Sequence, residues 1–240
     1  AGPPPTPHWL LPGILTHGSL VLFAGREGAG KSMFSYALAV AAAAGSPFLN
    51  RPLTPMPVLY FDEENSHDTS HAYFWRAWVG LGRPPLEHRF RLEQFSLGHG
   101  WANTLLDLCQ RYQPTLVFLD TVTPACDIVE ENSNAEASRA CRAIRRAQLA
   151  AGPGCTMILL KHLRQRPRED GGGFDIRGAK HWKGAVDAIL HYKDGRGQPP
   201  KDGLRTMTLT SAKTRAWGLS EDLHIRPRRA ADESLLFSLV

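Results

Sequence analysis

Cysteine is scarce in this 240-residue chain: there are four, at Cys109, Cys126, Cys141 and Cys155. None falls in a C-x-x-C or other close ligand spacing, so neither a zinc module nor a disulfide framework is expected, and a reduced, cytoplasmic setting fits. Long apolar runs are missing as well. Nothing approaches the length of a membrane span, and the opening Ala1-Gly2-Pro3-Pro4-Pro5-Thr6-Pro7 lacks the apolar region of a signal peptide. A linker or arm over 1–13 is expected there, with no membrane partner. There is no internal repeat, and no change of composition sharp enough to divide 14–240 into two domains. The net charge of +5 permits a polyanionic partner without requiring one.

What the chain does contain is Gly25-Arg26-Glu27-Gly28-Ala29-Gly30-Lys31-Ser32, set between the apolar run Leu20 to Ala24 and a helix-forming run from Phe34 to Ala44. This is G-x-x-x-x-G-K-[ST] in a strand–loop–helix context. Its glycines let backbone N–H groups curl around a triphosphate, and the helix N-terminus adds partial positive charge. A nucleotide cradle is expected from Gly25, Glu27, Gly28, Ala29, Gly30, Lys31, Ser32 and Met33. In it Lys31 reaches the β- and γ-phosphates, and the Ser32 hydroxyl holds Mg²⁺.

Around this motif, strand-like and helical runs alternate, the pattern of a parallel sheet covered on both faces. Further strands are expected at Pro57 to Phe61, Arg89 to Phe95, Leu116 to Asp120 and Cys155 to Leu160. Helices are expected at His67 to Val79, at Trp101 to Tyr112 and from a capping box at Ser133-Asn134-Ala135-Glu136 to Gly152. Strands at Ala185 to Tyr192, Leu204 to Ser211, Leu223 to Arg226 and Ser234 to Leu239 make the second half strand-rich.

Ligands of open α/β sheets bind at the carboxyl ends of the strands, and several strands here end in polar residues. Asp120 has the form of a carboxylate that orients Mg²⁺. Asp62, Glu63 and Glu64 follow the apolar run Pro57 to Phe61, the strand after the Gly-rich loop's helix; one of them can orient or deprotonate an attacking water, while the others serve as helix N-terminal charges. His162 is placed either to sense a γ-phosphate or as a structural histidine. Lys213 and Arg215 are either solvated cations or groups that project across a subunit boundary, where an arginine finger acts.

Together these motifs resemble the RecA-type ATPase core of hexameric replicative helicases, particularly the plasmid RepA-like branch with its AAA_25-type domains, and more distantly the DnaB helicases. The resemblance runs from Ile14 to the last strand. It rests on Gly25 to Ser32, Leu59-Tyr60-Phe61-Asp62-Glu63-Glu64-Asn65, Leu116 to Asp120, Leu159 to Arg164, and Ser211 to Gly218. It implies an α/β fold of the RecA-like P-loop type, with a mostly parallel twisted sheet flanked by helices and antiparallel C-terminal strands. It also implies ATP and Mg²⁺ as cofactors, Glu64 as catalytic glutamate with Glu63 in reserve, His162 as γ-phosphate sensor, and Lys213 and Arg215 acting on the neighbour's site. The partners it implies are a homo-oligomer forming a hexameric ring, single-stranded DNA, and a primase or loader. DNA-contacting loops would be Val122 to Asn132, which is acidic, and Gln165 to Lys183, with Arg166, Arg168, Arg177, Lys180 and Lys183. The chain departs from the family where Ala179 stands for the usual Ser and Lys161-His162 for a double His. A strand-exchange or repair ATPase of the RecA/RadA kind, and a regulatory ATP switch without motor activity, are the alternatives.

Overall fold

The computed structural model describes residues 6–94, 100–163, 181–194, 205–215, 219–229 and 234–240. A nine-stranded sheet forms its centre. The parallel half contains β3 (Leu20–Gly25), β4 (Val58–Asp62), β5 (Phe90–Glu93), β6 (Leu116–Asp120), β7 (Thr156–His162) and β8 (Ala188–Asp194). Then β9 (Met207–Thr214), β10 (Leu223–Arg229) and β11 (Leu235–Leu239) add an antiparallel edge, giving the order β11-β10-β9-β8-β3-β7-β6-β4-β5. A short hairpin of β1 (Trp9–Leu11) and β2 (Leu15–Thr16) precedes the sheet. Its Leu10, Leu11, Ile14 and Leu15 are buried in the core, so the stretch expected to be a linker is packed from Trp9 onward.

Strands β3, β4 and β6 are buried on both faces, as their uninterrupted apolar runs require. One face packs on α1 (Lys31–Ala44) and α2 (His67–Gly80). The other packs on α3 (Trp101–Tyr112), α4 (Val122–Ala125), α5 (Asn134–Ala151) and α6 (His181–Ala185). The alanine-rich α1 is buried almost throughout, because small side chains let it lie close to both the sheet and α2. Among the described residues, no helix is long and apolar enough to cross a membrane.

Several sequence expectations shift. Strand β9 starts at Met207 and runs through Thr214, so Lys213 lies within a strand, not after it; the 210s alternate partly buried and exposed and give no apolar run to read. Helix α6 takes up His181 to Ala185, so Lys183 sits on a helix and not in a loop, and β8 begins at Ala188 instead of Ala185. The loop expected from Val122 opens with the single turn α4. The fifth strand is shorter, Phe90–Glu93. Half of the expected capping box forms: Ser133 Oγ accepts from Glu136 N at 3.2 Å, but the Glu136 carboxylate turns to Val129 N and Glu130 N.

Helix α1 ends at Gly45, whose φ of +70° is left-handed and whose N–H bonds back to Ala41 O and Ala42 O. A Cβ there would also lie 2.5 Å from two ring carbons of Pro55. Gly45→Ala is expected to destabilise the fold by about 1–3 kcal/mol, from left-handed strain plus the clash. Urea unfolding measures it.

Candidate active site

Parallel pairing brings the strand ends to one edge of the sheet, with His162 two residues beyond the level of Asp120. Gly25 is in register with His162 across β3 and β7, and Asp62 with Asp120 across β4 and β6. One strand, β7, separates the Gly-rich loop from the Asp120 strand. The loop leaves β3 at Gly25, where a Cβ would sit 2.5 Å from the Tyr192 carbonyl; only glycine lets β8 approach so closely. It enters α1 at Gly30, with φ of +84° and no side-chain cap. By contrast α2 and α5 are capped by Ser66 and Ser133. The uncapped first turn leaves its N–H groups for an anion, as phosphate recognition requires.

Lys31 is buried at 4% exposure. Its Nζ donates to Arg26 O at 3.0 Å and lies 3.2 Å from His162 Nδ1. On the other side of the ring, His162 Nε2 is 3.1 Å from Glu64 Oε1. An ammonium only donates, so Nδ1 accepts, and the ring proton on Nε2 goes to the glutamate. Lys31, His162 and Glu64 thus form one hydrogen-bonded chain. Burial lowers the Lys31 pKa, against the carboxylates of Glu64, Asp120 and Glu27. Burial pushes Glu64 up, but the bond from His162, the electrostatic pull of His162 and of the Lys31 ammonium and a bond from Thr121 outweigh it and hold the carboxyl below its ordinary value.

The three acids after β4 separate by their surroundings. Asp62 is buried and saturated: Oδ2 accepts from Tyr36 Oη, Ser70 Oγ and Asn65 Nδ2, and Oδ1 from Asn65 N, Asn65 Nδ2 and Glu64 N. It fixes the turn that presents Glu64. Glu63 sends its backbone N–H to Asp120 O at 2.7 Å.

Asp120 is different. It has no exposed surface, its Oδ2 accepts from Tyr60 Oη at 2.8 Å, and its Oδ1 has no hydrogen-bond partner among the described residues. Burial, followed by the Asp62 carboxylate, raises its pKa to about 7, against the pull of the Tyr60 and Ser32 hydroxyls. A buried, under-coordinated carboxylate beside a serine hydroxyl at the end of a strand fits a divalent cation.

Lys161, next to His162, points to the opposite face, as alternation in a strand demands. Its Nζ donates to Thr123 Oγ1 at 2.9 Å and lies 5.6 Å from the centroid of the buried Trp182 ring. Lys213 and Arg215 are elsewhere. Lys213 Nζ donates to Lys183 O and Val186 O, and Arg215 to Gly184 O, with Arg215 Nη1 3.8 Å from Asp187 Oδ1. Lys213 pairs near Ile189 and Ala188, the start of β8, whereas Gly25 pairs with Tyr192. Three residues of strand, roughly 10 Å, separate Lys213 from the Gly25 level, and Arg215, whose N–H donates to Asp187 O, lies beyond Lys213. Of the residues expected to touch DNA, Arg166, Arg168, Arg177 and Lys180 lie outside the described residues.

Spacing does not mark the roles of Tyr36 and Tyr60, because an aromatic in an apolar strand or an alanine-rich helix looks like core, nor those of Ser70 and Thr121, whose partners are set by the fold. Asn65 and Ser66 after Asp62 are turn and cap residues, and they do carry a local signal.

The folded chain keeps a proton on Asp120 that the unfolded chain releases. The resulting penalty is small below the ordinary carboxylate range, grows as pH rises from there through about 7, and is complete above it. Without metal at pH 8, Asp120→Asn is expected to be more stable than wild type by about 2–4 kcal/mol, with the difference shrinking toward pH 5. Paired chemical denaturation curves check it.

No curated protein sequence matches the chain. Among solved structures it is similar to a KaiC-like protein of the hyperthermophilic archaeon Pyrococcus horikoshii, with TM-score 0.60 and 12% identity over 95% of this chain and 93% of that one. It is also similar to the flagellar accessory protein FlaH of Methanocaldococcus jannaschii, with TM-score 0.60 and 11% identity over 93% and 90%. At that identity the likeness establishes a shared RecA-like α/β fold. The AAA_25 family, described as an AAA domain, matches residues 1–168, a stretch that includes the Gly-rich loop, the Glu64 turn, Asp120 and His162. The chain therefore belongs to that AAA domain family and is a P-loop ATPase of RecA-like fold.

Proposed function

We propose that the chain is the ATP-hydrolysing subunit of a ring-forming homo-oligomer, hexameric as in the helicases it resembles, that moves along single-stranded DNA as a replicative helicase. The observation that carries the reading is the distance of Lys213 and Arg215 from their own Gly-rich loop. They lie toward the start of β8, away from the level of Gly25, which supports a role on a neighbouring copy's phosphates instead of their own.

In this reading the loop from Gly25 to Met33 holds the triphosphate, with Lys31 on the β- and γ-oxygens. Ser32 and Asp120 hold Mg²⁺, which when bound neutralises charge on those oxygens. Glu64 orients the attacking water and takes its proton; its lowered pKa keeps it ionised and able to accept. His162 registers the loss of the γ-phosphate; its bonds to both Glu64 and Lys31 support this role, because either partner's movement breaks one of them. Arg215, with Lys213, stabilises transition-state charge from the adjacent copy. DNA contact is assigned to the stretch from Gln165 to Lys183. A primase or loader would belong to the same reading.

One observation favours a second reading, an ATP switch that acts on protein partners. The segment after α4 carries Asp127, Glu130 and Glu131, which repel a nucleic-acid backbone. The two similar structures named above are described as KaiC-like and flagellar accessory proteins, neither a DNA motor by name.

Arg215→Ala is expected to lower ATP turnover on the order of a thousandfold with nucleotide binding retained. Mixing it with Lys31→Ala, inactive by itself, should recover turnover, because one copy then supplies the loop and the other the arginine. Absence of recovery, with both variants shown to co-assemble, contradicts a shared site. Unwinding of a tailed duplex supports the motor. ATP turnover that single-stranded DNA does not stimulate, without unwinding, supports the switch.

A further inference from the structure

Two buried carboxylates end neighbouring strands, in register at Asp62 and Asp120. Each accepts a hydroxyl from one of two stacked tyrosines. Tyr36 on α1 donates to Asp62 Oδ2 and Tyr60 on β4 to Asp120 Oδ2, both at 2.8 Å. The rings lie 4.1 Å apart at 23°, and neither residue has exposed surface. Packing does not call for either hydroxyl. Tyr60 also stacks on Phe118, with centroids 5.0 Å apart, and a phenylalanine would fill the same space without burying an oxygen.

The two acids are satisfied very differently. Asp62 takes bonds on both oxygens from Tyr36, Ser70, Asn65 and the Glu64 backbone, which leaves it no freedom to turn. Asp120 is held at Oδ2 by Tyr60, while its buried Oδ1 has no hydrogen-bond partner among the described residues. A carboxylate pinned at one oxygen by a donor on a rigid strand cannot rotate about its Cβ–Cγ bond without breaking that contact. Outer partners of this kind set the orientation of metal-binding groups.

We propose that Tyr60 is a positioning residue for the metal: its hydroxyl holds Oδ2 and so fixes the plane of the Asp120 carboxylate, leaving Oδ1 for the cation, while Tyr36 bonds the already saturated Asp62 and has no part in metal binding. This rests on the reading of Asp120 as the metal carboxylate. The paired tyrosines provide an internal control, since each hydroxyl can be removed alone from the same stack, one from each acid.

The experiment follows binding of a fluorescent ATP analogue as Mg²⁺ is titrated at fixed pH, and separately in EDTA. Tyr60→Phe is expected to raise the Mg²⁺ concentration for half-maximal effect roughly tenfold or more, whereas Tyr36→Phe changes it less than about twofold. Affinity for the analogue in EDTA should stay at the wild-type value in both. Should Tyr60→Phe fail to fold, p-fluorophenylalanine at position 60 fills the hydroxyl's space without donating and is expected to show the same Mg²⁺ defect. Wild-type Mg²⁺ dependence without the Tyr60 hydroxyl overturns the proposal, as does an equal shift in Tyr36→Phe. Asp120→Asn separates the two levels of the account. If it keeps wild-type Mg²⁺ dependence, the metal assignment itself fails. If it loses that dependence while the Tyr60 variants do not, only the positioning role fails.

Discussion

Parallel pairing in register across β3, β7, β6 and β4 is the constraint on which the rest of this structure depends. It brings the strand ends to one edge of the sheet, so that Gly25 meets His162 and Asp62 meets Asp120, the first pair two residues beyond the second. Because side chains alternate along a strand, the last residue of each strand has one of two directions available. His162 takes the one that reaches Lys31 and Glu64, and Lys161 the one that reaches Thr123 and Trp182. A slip of one residue in β7 would exchange them and place a second ammonium beside Lys31.

Charge is distributed around that edge with a clear division of tasks. Buried acids are costly unless bonded, and the protein treats its two differently. Asp62 is saturated and acts as scaffold for the turn to Glu64. Asp120 is left with a buried, under-coordinated oxygen and a pKa raised to about 7, a cost to the fold that a bound cation would relieve. Stability given up at a strand end in this way is the usual sign that the position is kept for binding.

Much of this was legible in the sequence because it is local. A glycine-rich loop between an apolar strand and a helix needs only consecutive residues, and Asp120 and His162 follow apolar runs that end abruptly. What could not be read depends on distant partners. The choice among Asp62, Glu63 and Glu64 turns on Tyr36 from α1 and Ser70 from α2, which no spacing near residue 62 reveals. Helix α6 has five residues, too few for periodicity to mark. Strand β9 continues into alternating, half-exposed positions through Thr214, so the cation pair reads as a strand end when Lys213 is within the strand and Arg215 just beyond it. That the pair acts on a neighbouring copy is implied by the family resemblance and proposed above; the topology shows only that Lys213 pairs with Ile189, away from the Gly25 level.

The most direct measurement is a structure of the assembled protein with Mg²⁺ and a slowly hydrolysed ATP analogue. The account predicts one metal between Ser32 and the Asp120 side, Lys31 turned from the Arg26 carbonyl to the phosphates, Glu64 facing the γ-phosphate, and Arg215 of an adjacent copy within hydrogen-bond reach of it. A triphosphate enclosed by one chain alone, or bound away from Asp120 and Glu64, would contradict it.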